Sequence, residues 1–149
     1  LFEIGKLIYS LGIRNSEFIF VDPTHGAPFD NFDRLVPRIS AIAPFVNRCL
    51  VIGKRNKVEH WHVRYVPICC FSKYEDRISE LNESKLFKKV EHLAPDFNNF
   101  NVEQSRRQVA RIKPDKCRNC EKFTLCEGLW LNYYNRYGDS ELKPIIKKM

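Results

Sequence analysis

Apolar residues recur along this chain in three rhythms, and each predicts a different kind of element. Leu1, Ile4, Leu7, Ile8 and Leu11 fall at spacings of three and four, one face of a helix, and Gly12 stands where such a helix stops. Phe18-Ile19-Phe20-Val21 is a continuous apolar run, short enough for a strand buried on both faces, as in a parallel sheet. From Val58 to Val66 the apolar Trp61 and Val63 alternate with His60, His62 and Arg64, the period of a second strand. Pro37 and Pro44 rule out one unbroken helix between the strands. The pattern there predicts a helical turn near 31–36 and then a helix from a Ser40 cap to about Ile52. Ile42, Phe45, Val46, Cys49 and Leu50 face inward, and Gly53 ends it.

The second half is less regular. Residues 76–93 carry a broken helical stripe through Ile78, Leu81, Leu86, Phe87, Val90 and Leu93. The asparagine-rich stretch 95–105 lacks periodicity and reads as a loop. Gln104 to Ile112 bears Arg106, Arg107 and Arg111, which reads as a solvated linker or a phosphate contact. Leu129, Trp130, Tyr133, Tyr134 and Tyr137 have helical spacing up to Gly138, and Pro144-Ile145-Ile146 in the polar tail is placed to dock back.

Composition narrows the class. At 149 residues, 44% hydrophobic and 29% charged, the chain suits one ordinary core with a small appendage. No run approaches the roughly 20 apolar residues that cross a bilayer, no secretory signal is visible, and no membrane partner is expected. The net charge of +7 is scattered along the chain; it permits an acidic partner, nucleic acid included. A helical face that starts at Leu1 with no cap before it suggests a fragment of a longer protein.

Six cysteines, clustered rather than spread, change the picture most. Clustering of this kind without export signals points to metal binding in a reducing, cytoplasmic compartment rather than to disulfides. Cys117-x2-Cys120-x5-Cys126 can aim three sulfurs at one centre, zinc or an iron–sulfur cluster, and leaves a fourth ligand to come from elsewhere. A distant one sits most naturally at Cys69 or Cys70, just past the second strand. Cys49 falls on an apolar helix face and reads as a buried thiol. His60 and His62 share one strand face and are read as solvent-facing rather than as ligands. At the end of the first strand, where ligands collect in parallel α/β folds, Asp22 and His25 stand out. The plain reading there is a turn.

Taken together, Phe-Val-Asp-Pro-Thr-His-Gly-Ala at 20–27, Pro67-Ile68-Cys69, the three-cysteine loop with Gly128, and Tyr133-x3-Tyr137-Gly138-x2-Glu141-x2-Pro144 resemble a known family. They are similar to the C-terminal part of radical S-adenosylmethionine (radical SAM) enzymes that carry an auxiliary cluster domain of the SPASM or twitch kind. The resemblance implies an α/β fold: the last βα elements of a partial (β/α) barrel over 1–66, then a small, loop-rich, metal-cluster-binding region over 67–149. It implies one auxiliary [4Fe–4S] cluster on Cys117, Cys120, Cys126 and Cys69, with Cys70 as the alternative to Cys69. Trp130 stands where the larger SPASM pattern has a further cysteine, so a single cluster fits better than two. Val21, Asp22, Pro23, His25 and Gly26 correspond to the side that contacts S-adenosylmethionine. Trp130, Tyr133 and Tyr134 read either as a cover for the cluster or as plain core packing. The CX3CX2C loop that holds the catalytic cluster is not in these residues. The expected partners are therefore the missing N-terminal radical SAM barrel, a reductant such as flavodoxin or ferredoxin, and a peptide, small-molecule or RNA substrate. The competing class is a zinc-stabilised module whose basic segment 106–116 reaches nucleic acid or whose surface binds protein. Zinc ribbons usually pair two CxxC knuckles, and this chain has one.

Overall fold

In a computed structural model, which describes residues 1–83, 91–93 and 98–147, the core forms around two adjacent parallel strands. The first helix, α1 (Phe2–Ser10), leads into β1 (Asn15–Ile19). Short helices α2 (Gly26–Asp30) and α3 (Phe32–Leu35) precede the long α4 (Ile39–Arg55), and the chain returns as β2 (His60–Arg64). β1 and β2 pair in register from Asn15 with His60 to Ile19 with Arg64, and Phe20 N adds a further bond to Arg64 O. Parallel pairing requires a crossover, which α2 to α4 supply. β1 is shifted toward the N-terminus of the apolar run because the run's last two residues, Phe20 and Val21, already lead into the turn. Only Phe18 in β1 is buried, while Ile19 is 58% exposed.

The core packs α4 against β2. Ile39, Ala43, Val46, Cys49 and Leu50 face Trp61 and Val63, and Phe18 meets Trp61 edge-on. Gly53 does not end α4, which runs on to Arg55. It is glycine for closeness: a Cβ there would sit 3.0 Å from the Trp61 side chain. Ser40 is not the cap either; Arg38 holds that position and Ser40 lies in the first turn. The stretch 32–55 is long and apolar enough by composition to cross a membrane, but it breaks at 36–38 and buries one face of α4 in the core.

Two expected elements take other forms. Residues 72–81 wind as 3-10 turns, Ser72–Arg77 and Ser79–Leu81, instead of starting an α-helix. Ile78 between them is extended and bridges Val63, which extends the sheet and prevents helical continuation. The rest of that expected helix, 84–90, lies outside the described residues. In the asparagine-rich stretch, Asn98–Asn99 pairs with His92–Leu93, and a short helix Val102–Ser105 starts under Asn101, whose side chain accepts from Gln104 N. Asparagine here supplies a cap rather than a loop.

The C-terminal region is sewn to the first half by polar bonds. Arg111–Ile112 pairs antiparallel with Leu129–Trp130, and the closing helix Leu131–Tyr137 starts only after that strand. The Tyr133 hydroxyl accepts from Ile39 N, the Tyr137 hydroxyl donates to Val36 O, and Asn132 donates to Pro23 O. Glu141 accepts from Ser40 N, the Ser40 hydroxyl and the Tyr133 hydroxyl.

Candidate metal centre

Four thiols surround one narrow cavity. Cys117, Cys120 and Cys126 come from the loop between the strands Arg111–Ile112 and Leu129–Trp130. Cys69 comes from the 3-10 turn Ile68–Cys70 that follows β2. Pro67 ends the strand because it cannot donate to a ladder, and the turn after it swings Cys69 toward the loop. Cys70, with its thiol 4.0 Å from Glu141 O, does not line the cavity. The free volume is about 20 Å³, room for one water-sized body.

Backbone turns fix the three loop cysteines. Cys117 N bonds to Pro114 O, Cys120 N to Cys117 O, and Cys126 N to Lys122 O. Gly128 closes the loop. At φ +84 it lies in the left-handed region, and a Cβ there would meet Ile112 O at 2.1 Å, so only glycine fits beside the strand. The tail locks the outside: Glu121 N bonds Ile145 O and Lys113 Nζ bonds Phe123 O.

Backbone N–H groups point at the sulfurs. Ile145 N donates to Cys120 Sγ at 3.3 Å and Gly128 N to Cys126 Sγ at 3.4 Å. Cys69 is lowered to about 6, chiefly by the Cys70 thiol donating to it and then, against the cost of burial, by backbone N–H groups. The same bond and burial push Cys70 up. Burial raises Cys126, and burial plus the neighbouring Cys126, Cys69 and Cys120 raises Cys117 to about 11. Cys126, Cys69 and Cys120 thus lie close enough to Cys117 to oppose its ionisation. Among the described residues no three His, Cys, Asp or Glu side chains are arranged to hold a single metal ion, so the thiols ring the cavity without converging on one point.

Other residues form the cover. Pro67, Ile68, Phe123, Leu142 and Pro144 line the cavity with Lys113 and Lys122. Trp130, Tyr133 and Tyr134 do not. Tyr133 packs against Phe20 and Tyr137, and Trp130 against Tyr65. Of the two readings of these aromatics, a cover or plain core packing, Trp130 and Tyr133 take the second, and the strand at Leu129–Trp130 turns Trp130 away from the cavity.

The loop after β1 is used structurally. Asp22 accepts from Thr24 N and Oγ1, Pro23 is buried, His25 is exposed with Nδ1 2.9 Å from Thr24 Oγ1, and Gly26 opens α2 at φ +61. Val21 lines an apolar groove with Leu1, Ile4 and Ile8. None of these five lines the thiol cavity. Cys49 is fully buried against Gly5. His60 and His62 stand 6.3 Å apart, edge to face, in a shallow cleft with Glu17, Arg64 and Ser79.

The basic segment is no solvated linker. Arg106 is buried and bonds Glu127 with Nε and Nη2, and Glu83 with Nη2. Arg64 bridges Glu83 and Glu17. Arg111 is buried and stacks 3.6 Å over the Trp130 ring. Burial disfavours the Arg106 charge, but its bonds to Glu127 and Glu83 more than offset that and raise it. Among the described residues Arg111 has only the carbonyl of Gly128 as a direct acceptor, and burial lowers it to about 10. Of the three arginines in the segment only Arg107 faces solvent, paired with Glu103. Sequence reading missed this cluster because its acidic halves lie 19 or more residues from their partners.

No family model matches the chain, and comparison with curated proteins and with solved structures finds no match.

Proposed function

We propose that this chain is the C-terminal part of a radical SAM enzyme and holds one auxiliary [4Fe–4S] cluster on Cys69, Cys117, Cys120 and Cys126. The observation that carries this reading is that Cys69, from beyond β2, lines the same cavity as the three cysteines of the distant loop. Four thiolates suit a soft polynuclear centre. A cluster held there supplies one-electron transfer at a potential set by burial and by hydrogen bonds to sulfur. The chain's own residues hold the remaining conditions. Ile145 N and Gly128 N donate to Cys120 Sγ and Cys126 Sγ and hold them at the cavity. Ile68, Phe123, Leu142 and Pro144 exclude water.

The parallel β1–β2 pair with its helical crossover agrees with two neighbouring strands of a (β/α) barrel. An open apolar groove of about 500 Å³ beside β1, lined by Leu1, Ile4, Phe18, Val21 and Ile42, is where further barrel elements would pack. S-adenosylmethionine would bind with the N-terminal barrel that carries CX3CX2C, so the chain by itself is inactive in this reading.

A second reading, a zinc-held binding module, is favoured by the small cavity volume, which suits one ion. Anaerobic reconstitution with iron and sulfide separates the two. The cluster reading expects about four irons per chain and a broad absorbance near about 400 nm. Both should vanish in Cys117→Ala/Cys120→Ala and in Cys69→Ala, and survive in Cys70→Ala. Stoichiometric zinc with no chromophore would overturn it.

A further inference from the structure

The two histidines of β2 stand on the sheet face that α4 leaves uncovered. Trp61 between them is fully buried against Gly53 of α4, and side chains alternate along a strand, so His60 and His62 share the opposite face. β2 is a stiff frame for the pair: β1 pairs along one edge, and Ile78 bridges Val63 on the other. The two rings meet edge to face with centroids 6.3 Å apart. They open onto a cleft of about 320 Å³ shared with Glu17, Arg64 and Ser79.

This spacing suits a shared ion. An ion about 2.1 Å from one nitrogen of each ring puts the two centroids roughly 5 to 6.5 Å apart, from a tetrahedral to a linear angle. The observed 6.3 Å falls in that range. Imidazole is a ligand for late first-row divalent ions, whereas magnesium and calcium prefer oxygen. The charges nearby favour a cation. Glu17 sits opposite His62 in the register. Its Oε1 accepts from Arg64 Nε and the Ser79 hydroxyl, and its Oε2 accepts from no group among the described residues. Glu59 Oε2 lies 3.9 Å from His60 Nε2. The neighbouring guanidiniums are matched: Arg64 by Glu17 and Glu83, and Arg77 by Asp76 and the carbonyls of Val58 and Glu59. Arg106, which shares Glu83, has Glu127 besides. An entering cation therefore meets no surplus positive charge.

We propose that His60 and His62 chelate one late first-row divalent ion, copper(II), nickel(II) or zinc, through one ring nitrogen each. Two protein ligands and not three come together there, so water fills the remaining positions, and Glu17 supplies balancing charge beside His62. The chelate does not depend on what fills the thiol cavity. If the enzyme reading stands, helices cover the outside of the sheet, and the ion stands inside the barrel.

Histidine ring resonances separate this site from the thiols and from chance binding. His25, an exposed single imidazole on the loop after β1, is the internal control. Zinc chloride, titrated into the full chain beyond what the thiols take up, should move the His60 and His62 ring signals together and saturably. A second imidazole held in place raises the effective ligand concentration, so this should occur at free zinc about tenfold or more below that which moves His25. Magnesium chloride should leave the rings in place. His60→Gln should weaken the response of His62 about tenfold or more, at least the cost of losing an outer-shell partner, and His62→Gln should do the same to His60. The Trp61 indole N–H, bonded to Ile13 O, reports whether each variant is folded. Should a variant unfold, the order in which His60, His62 and His25 respond in the unaltered chain decides the matter. Three results would each overturn the chelate: His25 moving in step with His60 and His62, which marks an adventitious ion only; an unchanged His62 response in folded His60→Gln; or an equal response to magnesium.

Discussion

Two apolar hollows flank the sheet, and they are built in opposite ways. The groove beside β1 is large, about 500 Å³, and open, with Ile4 54% and Leu1 49% exposed along its rim. The thiol cavity is about 20 Å³ and closed, pinned by Gly128, by Cys69 from beyond β2, and by the tail through Ile145. Both are apolar faces in the sequence. Only the second finds its partner within the chain. Periodicity thus announces that a face is to be covered and is silent on what covers it.

The comparison breaks first if the N-terminal half is not held by its own inward core. Trp61 is fully buried, in contact with Gly53 and Phe18. Trp61→Ala should cost about 3–5 kcal/mol in urea unfolding. A loss below about 1 kcal/mol would mean that the open groove loosens the whole half.

On the closed side, the sharpest single constraint is Gly128. Gly128→Ala adds a Cβ against Ile112 O at positive φ, and should cost about 3 kcal/mol. The damage should fall on the clasp. Hydrogen exchange should speed up at the amides of 117–130, while those of β2 keep their protection. Uniform loss across both regions would show that the clasp and the sheet unfold as one unit.

Titration sharpens the contrast further, since the closed cavity holds ionisable thiols and the groove holds none. Cys69 lies near 6 in the folded chain, against an ordinary 9.0. A depressed acid stabilises fully above its unfolded value, and the contribution is lost as pH falls through the folded value. The stability difference between the metal-free chain and Cys69→Ser should therefore grow from about pH 6 to about pH 9 and be flat below 6. Cys117, raised to about 11, acts in the opposite sense between 9 and 11. A difference that shrinks between pH 6 and 9 would remove the Cys70-to-Cys69 bond as its cause.

Legibility followed the range of the forces. The α1 helix, the two strands and their alternation were readable because spacing alone decides them: Trp61 and Val63 inward, His60 outward. The cavity's four cysteines were readable as residues, and Cys69 stood out through Pro67-Ile68-Cys69. What failed had long-range causes. Gly53 looked like a helix stop, but it is the seat for Trp61, and nothing local signals that. Ile78 leaves its helical stripe to bridge Val63. Arg106 and Arg111 looked like a wet basic stretch because Glu83 and Glu127, which bury with them, sit far away in the chain.

The smallest expected effect is the most telling about the open groove. Ile4 points into it from α1, and only part of its surface is buried. Ile4→Gln removes apolar contact worth a fraction of a fully buried isoleucine, and it gains some helix propensity. The isolated chain should therefore lose no more than about 1 kcal/mol, read by thermal or urea unfolding. The same substitution should matter far more when a polypeptide carrying the remaining barrel strands is added in trans, because Ile4 then sits at a buried contact. Weakened association with unchanged stability of the isolated chain is the outcome that ties the groove to a missing partner. A loss above about 2 kcal/mol in the isolated chain would mean that the groove closes on itself in solution, and the contrast between the two hollows would collapse.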